Sequence, residues 1–227
     1  MKENCLLIFL NAPSADKMPA QLKNAFGAEK AVLAYTDMAR HLFAASKKLS
    51  GVQPTIIYKG DSKYPDLRWL DPDDPGFLNL KGTEPLEQFT NAMGWAFDAG
   101  AVRATVLSVQ APGVPPDWLE KTFSLLTEKD IVLGPAQDGE CYLLGMTRIQ
   151  PAVIEGYPWP GRRFCDELAE RAKRLRMSVY LLPEFPLIKE EKAYQQWISS
   201  GRKPAAAPET GQEPPRHKET KSEAGKR

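Results

Sequence analysis

Short, continuously apolar segments recur along the chain, and they constrain its fold more than any other feature. Six of them are predicted strands, at residues 5–10, 54–59, 104–109, 130–134, 142–146 and 178–182. Most of these segments do not alternate apolar with polar residues, which is typical of strands buried on both faces of a parallel sheet. The sequence therefore favours a sheet that is covered by helices on both sides.

Between the predicted strands, apolar residues recur at helical spacing. Helices are predicted at residues 28–49, after Pro85, from Pro116, around Phe164 and Leu168, and around Trp197. Alternating strands and helices imply right-handed crossovers and a three-layer α/β domain. Residues 62–83 show neither the periodicity of a helix nor that of a strand and are predicted to form a long surface loop.

Charge and composition exclude several classes of function. The formal net charge of the 227 residues is +1, so no overall field attracts nucleic acid or an anionic membrane. The apolar run at residues 5–10 is too short to span a membrane and lacks the pattern of a signal peptide. Cys5, Cys141 and Cys165 have no metal-ligand spacing. Such a sparse, odd set fits a reducing cytoplasm, with Cys5 in the core.

The composition changes near the C-terminus. From Lys203 onwards the chain contains no large apolar residue and is rich in Pro, Glu and Lys. Such a segment cannot bury enough surface to offset the entropy lost on ordering. We therefore predict one domain at residues 1–201 and a disordered charged tail at residues 202–227.

Candidate chemistry lies in the loops that follow the predicted strands, because ligands of open α/β sheets bind at the carboxyl ends of the strands. Asp138 is the best candidate acid, since it sits on an Asp-Gly turn beside a strand end. It could hold a divalent cation or a sugar hydroxyl, or it could only shape the turn through an Asx hydrogen bond, and both hypotheses stay open. Trp159 could stack on a ligand ring or cover the core.

Residues 130–145 resemble the signature D-V-V-L-G-P-A-x-D-G-G-Y-Y-L-L-G of a small bacterial group of GT-A-like nucleotide-diphospho-sugar transferases. Further matching segments fall in the same order and spacing, so that the resemblance covers about residues 6–197. They are Leu7-Ile8-Phe9, Ala12-Pro13, Gly27-Ala28-Glu29, Thr105-Val106-Leu107 with Pro112, Pro158-Trp159 and Leu182-Pro183-Glu184.

This resemblance implies a Rossmann-like GT-A fold, a nucleotide-sugar or nucleotide as ligand, and a divalent Mg²⁺ or Mn²⁺ ion. In such enzymes the metal and basic residues neutralise the diphosphate as it leaves. Asp138 is then the expected catalytic residue. The expected substrate-binding residues are Ala12, Pro13, Lys17, Gln110, Gly139, Glu140 and Trp159.

Several charged positions of the family pattern are substituted in this chain. The first loop of the family reads A-P-x-P-G-x-x-K-T-R-L, and its lysine and arginine are Pro19 and Gln21 here. The aspartate of G-S-D-C-P-D-L is Gln110, and the second acid of D-V-D-T is Lys189. Because hard cations need several anionic oxygens, these changes predict that the binding of a divalent metal drops sharply.

Three hypotheses follow from the sequence. The favoured one is a catalytically degenerate domain that binds a nucleotide or nucleotide-sugar, or a protein partner. The alternative is an active glycosyl- or nucleotidyltransferase with a rearranged, metal-independent site that uses Lys17, Asp138 and Arg162 or Arg163. A weaker hypothesis makes the tail a tether for a partner.

Overall fold

A single seven-stranded sheet forms the centre of the computed structural model, which describes residues 2–60, 62, 65–73, 75–155 and 163–202. Within these residues the sheet contains β1 (Asn4–Asn11), β2 (Val52–Lys59), β3 (Phe77–Asn79), β4 (Arg103–Leu107), β5 (Ile131–Pro135), β6 (Cys141–Met146) and β7 (Val179–Leu181). The strand order is β3-β2-β1-β4-β6-β5-β7. Only β6 runs antiparallel to its neighbours among these strands. The predicted, mostly parallel sheet is therefore confirmed.

Helices cover both faces of the sheet. They are α1 (Ala20–Phe26), α2 (Ala28–Ser46), α3 (Pro85–Asp98), α4 (Pro116–Leu125), α5 (Pro151–Ile154), α6 (Phe164–Arg174) and α7 (Glu191–Ser199). Leu6, Ile8 and Leu10 of β1 point into a core shared with α1, α2, α4 and α7. Cys5 and Leu7 point to the opposite face, into a core shared with α3, α5 and α6. This alternation produces the predicted three layers.

The prediction of a surface loop at residues 62–83 is wrong in part. This segment contains β3, and Leu67 and Leu70 are buried in the first core at 0% and 6% exposure. A strand of three residues is too short to show a period, so the sequence pattern could not reveal it. The short helices α1 and α5 were not predicted for the same reason.

No helix in the described part of the chain combines the length and the apolar character needed to cross a membrane.

A close contact between β5 and β6 supplies a test of the packing beneath the candidate site. A Cβ atom on Gly134 would lie 2.5 Å from Cζ of Tyr142, whose ring is 1% exposed. Because a buried ring cannot move aside, we expect Gly134→Ala to lower the free energy of unfolding by about 2 kcal/mol. Gly94→Ala is the matched control, since its Cβ would meet only Ile149 at 3.6 Å. Equal stability of the two variants in urea would contradict the assigned packing.

Candidate functional site

A pocket of about 310 Å³ lies at the edge of the sheet where β1 and β4 end and the antiparallel β6 begins. Its lining combines aromatic and aliphatic side chains with a few polar groups. The lining includes Phe9, Asn11, Ser108, Gln110, Glu140 and Tyr142. Carboxyl ends of strands are the usual ligand site of open α/β sheets, so this edge is the candidate functional site.

Lys189 joins two carboxylates at the border of this pocket. Its ammonium donates a hydrogen bond to Oδ2 of Asp138 and lies 2.7 Å from Oε1 of Glu140. The Lys189 side chain is only 10% exposed, whereas those of Asp138 and Glu140 are 38% and 22% exposed. The charge of this nearly buried ammonium is fully compensated by the two carboxylates, and the three side chains together carry a net charge of −1.

The backbone fixes Lys189 in this position. The amide of Ile188 donates to the carbonyl of Gln110 at 2.7 Å, and the amide of Phe185 donates to the carbonyl of Pro135 at 3.0 Å. The segment before α7 therefore crosses the ends of both β4 and β5. Lys189 reaches the turn at Asp138 through this crossing, although the two residues are 51 positions apart.

The turn between β5 and β6 explains both contacts of Asp138. Gly139 has a φ of 84°, and its amide donates to the carbonyl of Ala136 at 2.9 Å. Oδ1 of Asp138 accepts a hydrogen bond from the amide of Glu140 at 3.2 Å, while Oδ2 faces Lys189. The carboxylate thus shapes the turn, as the Asx hypothesis predicted, and pairs with a cation at the same time.

The ion pair gives Asp138 a pH-dependent role in stability. Partial burial alone would raise the pKa of Asp138, but the hydrogen bonds from Lys189 and Glu140 and the charge of Lys189 hold this pKa below the ordinary 3.8. A lowered pKa in the folded state stabilises the fold above the unfolded-state value, and this contribution disappears as the pH falls through the folded-state value. We therefore expect Asp138→Asn to be less stable than the wild type at pH 7 and equally stable in acid below both values. Urea unfolding across pH tests this, and a stability difference that persists in strong acid would contradict the assignment.

The described residues do not fit the divalent metal that the resemblance implies. Both carboxylates at the turn already face Lys189, and the acid position of the family pattern near them is the neutral Gln110. Among the residues that the structure describes, no group of three or more His, Cys, Asp or Glu side chains could hold a metal ion. A hard divalent cation needs several anionic oxygens, and here an ammonium occupies them.

The structure brings some of the predicted site residues together and separates others. Gln110 and Glu140 line the pocket, and Asp138 and Gly139 lie on the adjoining turn. Ala12 and Pro13 lie in the loop after β1, where the amide of Ala12 donates to the carbonyl of Lys59.

The predicted basic and aromatic site residues are not among the described residues that line the pocket. Lys17 pairs with Asp16 at 3.5 Å and is not among the described residues that line the pocket. Arg163 precedes α6 with a φ of 70°. Trp159 and Arg162 lie outside the described residues.

Sequence patterns did not identify other parts of the site. The hydroxyl of Tyr35 accepts a hydrogen bond from the amide of Asn11 at 2.9 Å and so fixes the end of β1. Ser108 Oγ accepts from the amide of Gln110 at 3.2 Å. Cys141 and Cys165 form a disulfide, which their spacing did not predict. The helical spacing of Tyr35 signalled only that this residue faces inward.

The sequence of this chain matches a known protein family. Residues 42–161 match the sequence profile described as "Uncharacterized protein conserved in bacteria (DUF2064)". The chain belongs to this family. No match is found among curated proteins for this DUF2064 chain.

Solved structures resemble the DUF2064 chain in fold. A protein from Desulfovibrio desulfuricans G20, provisionally named a nucleotide-diphospho-sugar transferase, is 28% identical with a TM-score of 0.76, covering 84% of each chain. The 4-diphosphocytidyl-2C-methyl-D-erythritol synthase is 10% identical with a TM-score of 0.56, covering 86% of this chain and 96% of the other. The 2-C-methyl-D-erythritol 4-phosphate cytidylyltransferase of Thermus thermophilus is 12% identical with a TM-score of 0.52. The match covers 89% of this chain and 100% of the other. The fold and the family resemblance predicted from the sequence are confirmed.

Proposed function

We propose that this DUF2064 chain binds a nucleotide or nucleotide-sugar without a metal ion and has lost the transfer chemistry of its fold. The observation that carries the proposal is the ammonium of Lys189 between the carboxylates of Asp138 and Glu140. This cluster stands at the turn where the family resemblance leads us to expect acidic residues available to a cation.

The chemical consequence concerns the leaving group. Transfer from a nucleotide-sugar requires positive charge that neutralises the diphosphate as the bond breaks. Lys189 cannot supply this charge in full, because two carboxylates already compensate it. No lysine or arginine is among the described residues that line the pocket. Ligand binding is therefore compatible with the site, whereas acceleration of the transfer is not.

The pocket itself suits the polar and aromatic groups of a nucleoside. Its volume is about 310 Å³, at the lower end of the range for small-molecule sites. Phe9 and Tyr142 supply aromatic surface, and the carboxamides of Asn11 and Gln110 can both donate and accept hydrogen bonds. The D. desulfuricans neighbour is named for a nucleotide-diphospho-sugar substrate, which supports the same class of ligand here.

A ligand screen tests this proposal. Nucleotides and nucleotide-sugars are added in EDTA while the melting temperature is recorded, and the binding constants of the hits are then measured. We expect Gln110→Ala to weaken a hit by about 1 kcal/mol, or about fivefold in Kd, because it removes one hydrogen-bonding group. Gln53→Ala is the matched control, since this carboxamide lies on β2 outside the pocket and donates to Pro54.

The same hits are incubated with Mn²⁺ and the products are separated by chromatography. We expect no hydrolysis of the donor above the background without protein. Metal-dependent cleavage of a nucleotide-sugar by the wild type, lost in Asp138→Asn, would overturn the proposal. The alternative of an active, metal-independent site has less support, because Lys17 pairs with Asp16 and is not among the described lining residues.

A further inference from the structure

The disulfide between Cys141 and Cys165 lies in the wall of the pocket. Cys141 is the first residue of β6, and Cys165 lies in the first turn of α6. Their Cα atoms are 5.6 Å apart, a usual separation for a disulfide, and 24 positions separate them in sequence. The covalent bond therefore joins the sheet at the candidate site to a helix on one face.

The two sulfur atoms have different surroundings. Cys141 is partly exposed and lines the pocket between Glu140 and Tyr142. Cys165 is 2% exposed and packs in the core with Leu168 and Ala172 of α6. Cys141 is therefore the more accessible of the two cysteines to an external thiol.

The pairing is a property of this chain rather than of the quoted signature. In D-G-G-Y-Y-L-L-G the position of Cys141 is tyrosine, so a typical sequence of that pattern cannot form this bond. The third cysteine, Cys5, is a free and buried thiol on the same face of the sheet, and burial raises its pKa. Cys5 is therefore an unreactive internal reference for the other two.

We propose that Cys141 and Cys165 form a thiol–disulfide exchange site through which a dithiol reductant loosens the pocket wall. A thiolate of the reductant attacks Sγ of Cys141, and Cys165 leaves as a thiolate that takes up a proton. The second thiol of the reductant then attacks the mixed disulfide and releases Cys141. The reductant ends as a disulfide, and each cysteine has gained one electron and one proton.

Reduction changes the pocket because Cys141 directly follows the ion-paired Glu140. The bond holds the start of β6 against α6, and Glu140 is held by Lys189 on its other side. Without the bond, the start of β6 and the first turn of α6 open more often, since local opening follows the loss of tertiary restraint. The turn at Asp138 and Glu140 becomes more mobile as a result.

Alkylation of the full chain followed by mass spectrometry tests whether the site exists. Denatured protein without reductant should take up one label, on Cys5, and denatured protein with dithiothreitol should take up three. Native protein with dithiothreitol should be labelled first on Cys141. Three labels without any reductant would overturn the proposal.

Hydrogen exchange tests the consequence without any ligand. In reduced protein we expect amides of residues 138–142 and 164–168 to exchange about tenfold faster, while α2 is unchanged. Cys165→Ser should exchange like reduced wild type, and Cys5→Ser should keep the response to dithiothreitol. Unchanged exchange after complete reduction would contradict the proposal.

Alkylation and hydrogen exchange are both independent of nucleotide binding. Their failure therefore leaves the proposed function intact, and failure to bind nucleotide leaves the exchange site intact.

Discussion

Lys189→Asp is expected to give the chain a Mn²⁺ site that the wild type lacks. The substitution removes the ammonium that occupies Asp138 and Glu140 and adds a third carboxylate on the segment that faces them. Three carboxylates that face one another form the anionic oxygen set that hard divalent cations prefer. A site without further preorganisation should have a Kd of about 0.1 to 1 mM, the range of weak oxygen-ligand sites.

Electron paramagnetic resonance of free Mn²⁺ during titration measures this gain directly. Lys189→Met is the matched control, because it removes the ammonium without adding oxygen and should bind Mn²⁺ far more weakly than Lys189→Asp. The methionine variant leaves two partly buried carboxylates unpaired and should be less stable by about 2 kcal/mol, between the costs of breaking exposed and fully buried pairs. If Lys189→Asp binds no Mn²⁺, Lys189 is not the cation that excludes the metal.

Removing the disulfide is expected to have the largest effect on stability. Cys141 and Cys165 close a loop of 24 positions, so their bond should stabilise the fold by about 3 kcal/mol through the entropy of the unfolded chain. For a chain of this length, about 3 kcal/mol corresponds to a fall in Tm of about 6 to 12 °C. Scanning calorimetry of the Cys141→Ala, Cys165→Ala double variant measures it. Dithiothreitol should lower the Tm of the wild type similarly and leave the double variant unchanged, and an unaffected wild type would contradict the assignment.

Sequence patterns predicted the elements that bury long apolar surfaces. The continuous run of β1 and the spacing of Tyr35, Met38 and Leu42 on α2 mark structures whose period extends over several residues. The strand β3 could not be predicted, because its three residues pair with β2 only through tertiary contact. Local propensity carries little information about so short a strand.

The candidate site was only partly predictable, because some of its contacts join residues that are far apart in the sequence. The Asp138-Gly139 turn can be identified locally, because φ at Gly139 and the Asx hydrogen bond involve neighbouring residues. The partner of Asp138 is 51 positions away and reaches it only because residues 183–189 cross the ends of two strands. The sequence showed that Lys189 replaces an acid of the family pattern, but the ion pair with Glu140 required the fold.

The pairing of the cysteines also depends on the fold and could not be predicted from their spacing. Their number and spacing favoured a reducing cytoplasm, and the location of the protein stays a prediction. Cys141 and Cys165 lie on β6 and α6, which become neighbours only when α6 packs on the sheet face. No count of cysteines could show which two would meet.

Metal-independent binding can be measured by calorimetric titration of the wild-type chain. The ligand is the nucleotide or nucleotide-sugar that raises its melting temperature most. One titration contains EDTA and the other a millimolar excess of Mn²⁺. Because Lys189 occupies the carboxylates that a metal would need, we predict the same Kd in both titrations. Binding that appears only with Mn²⁺ would show that the site requires the metal, and would overturn the proposed function.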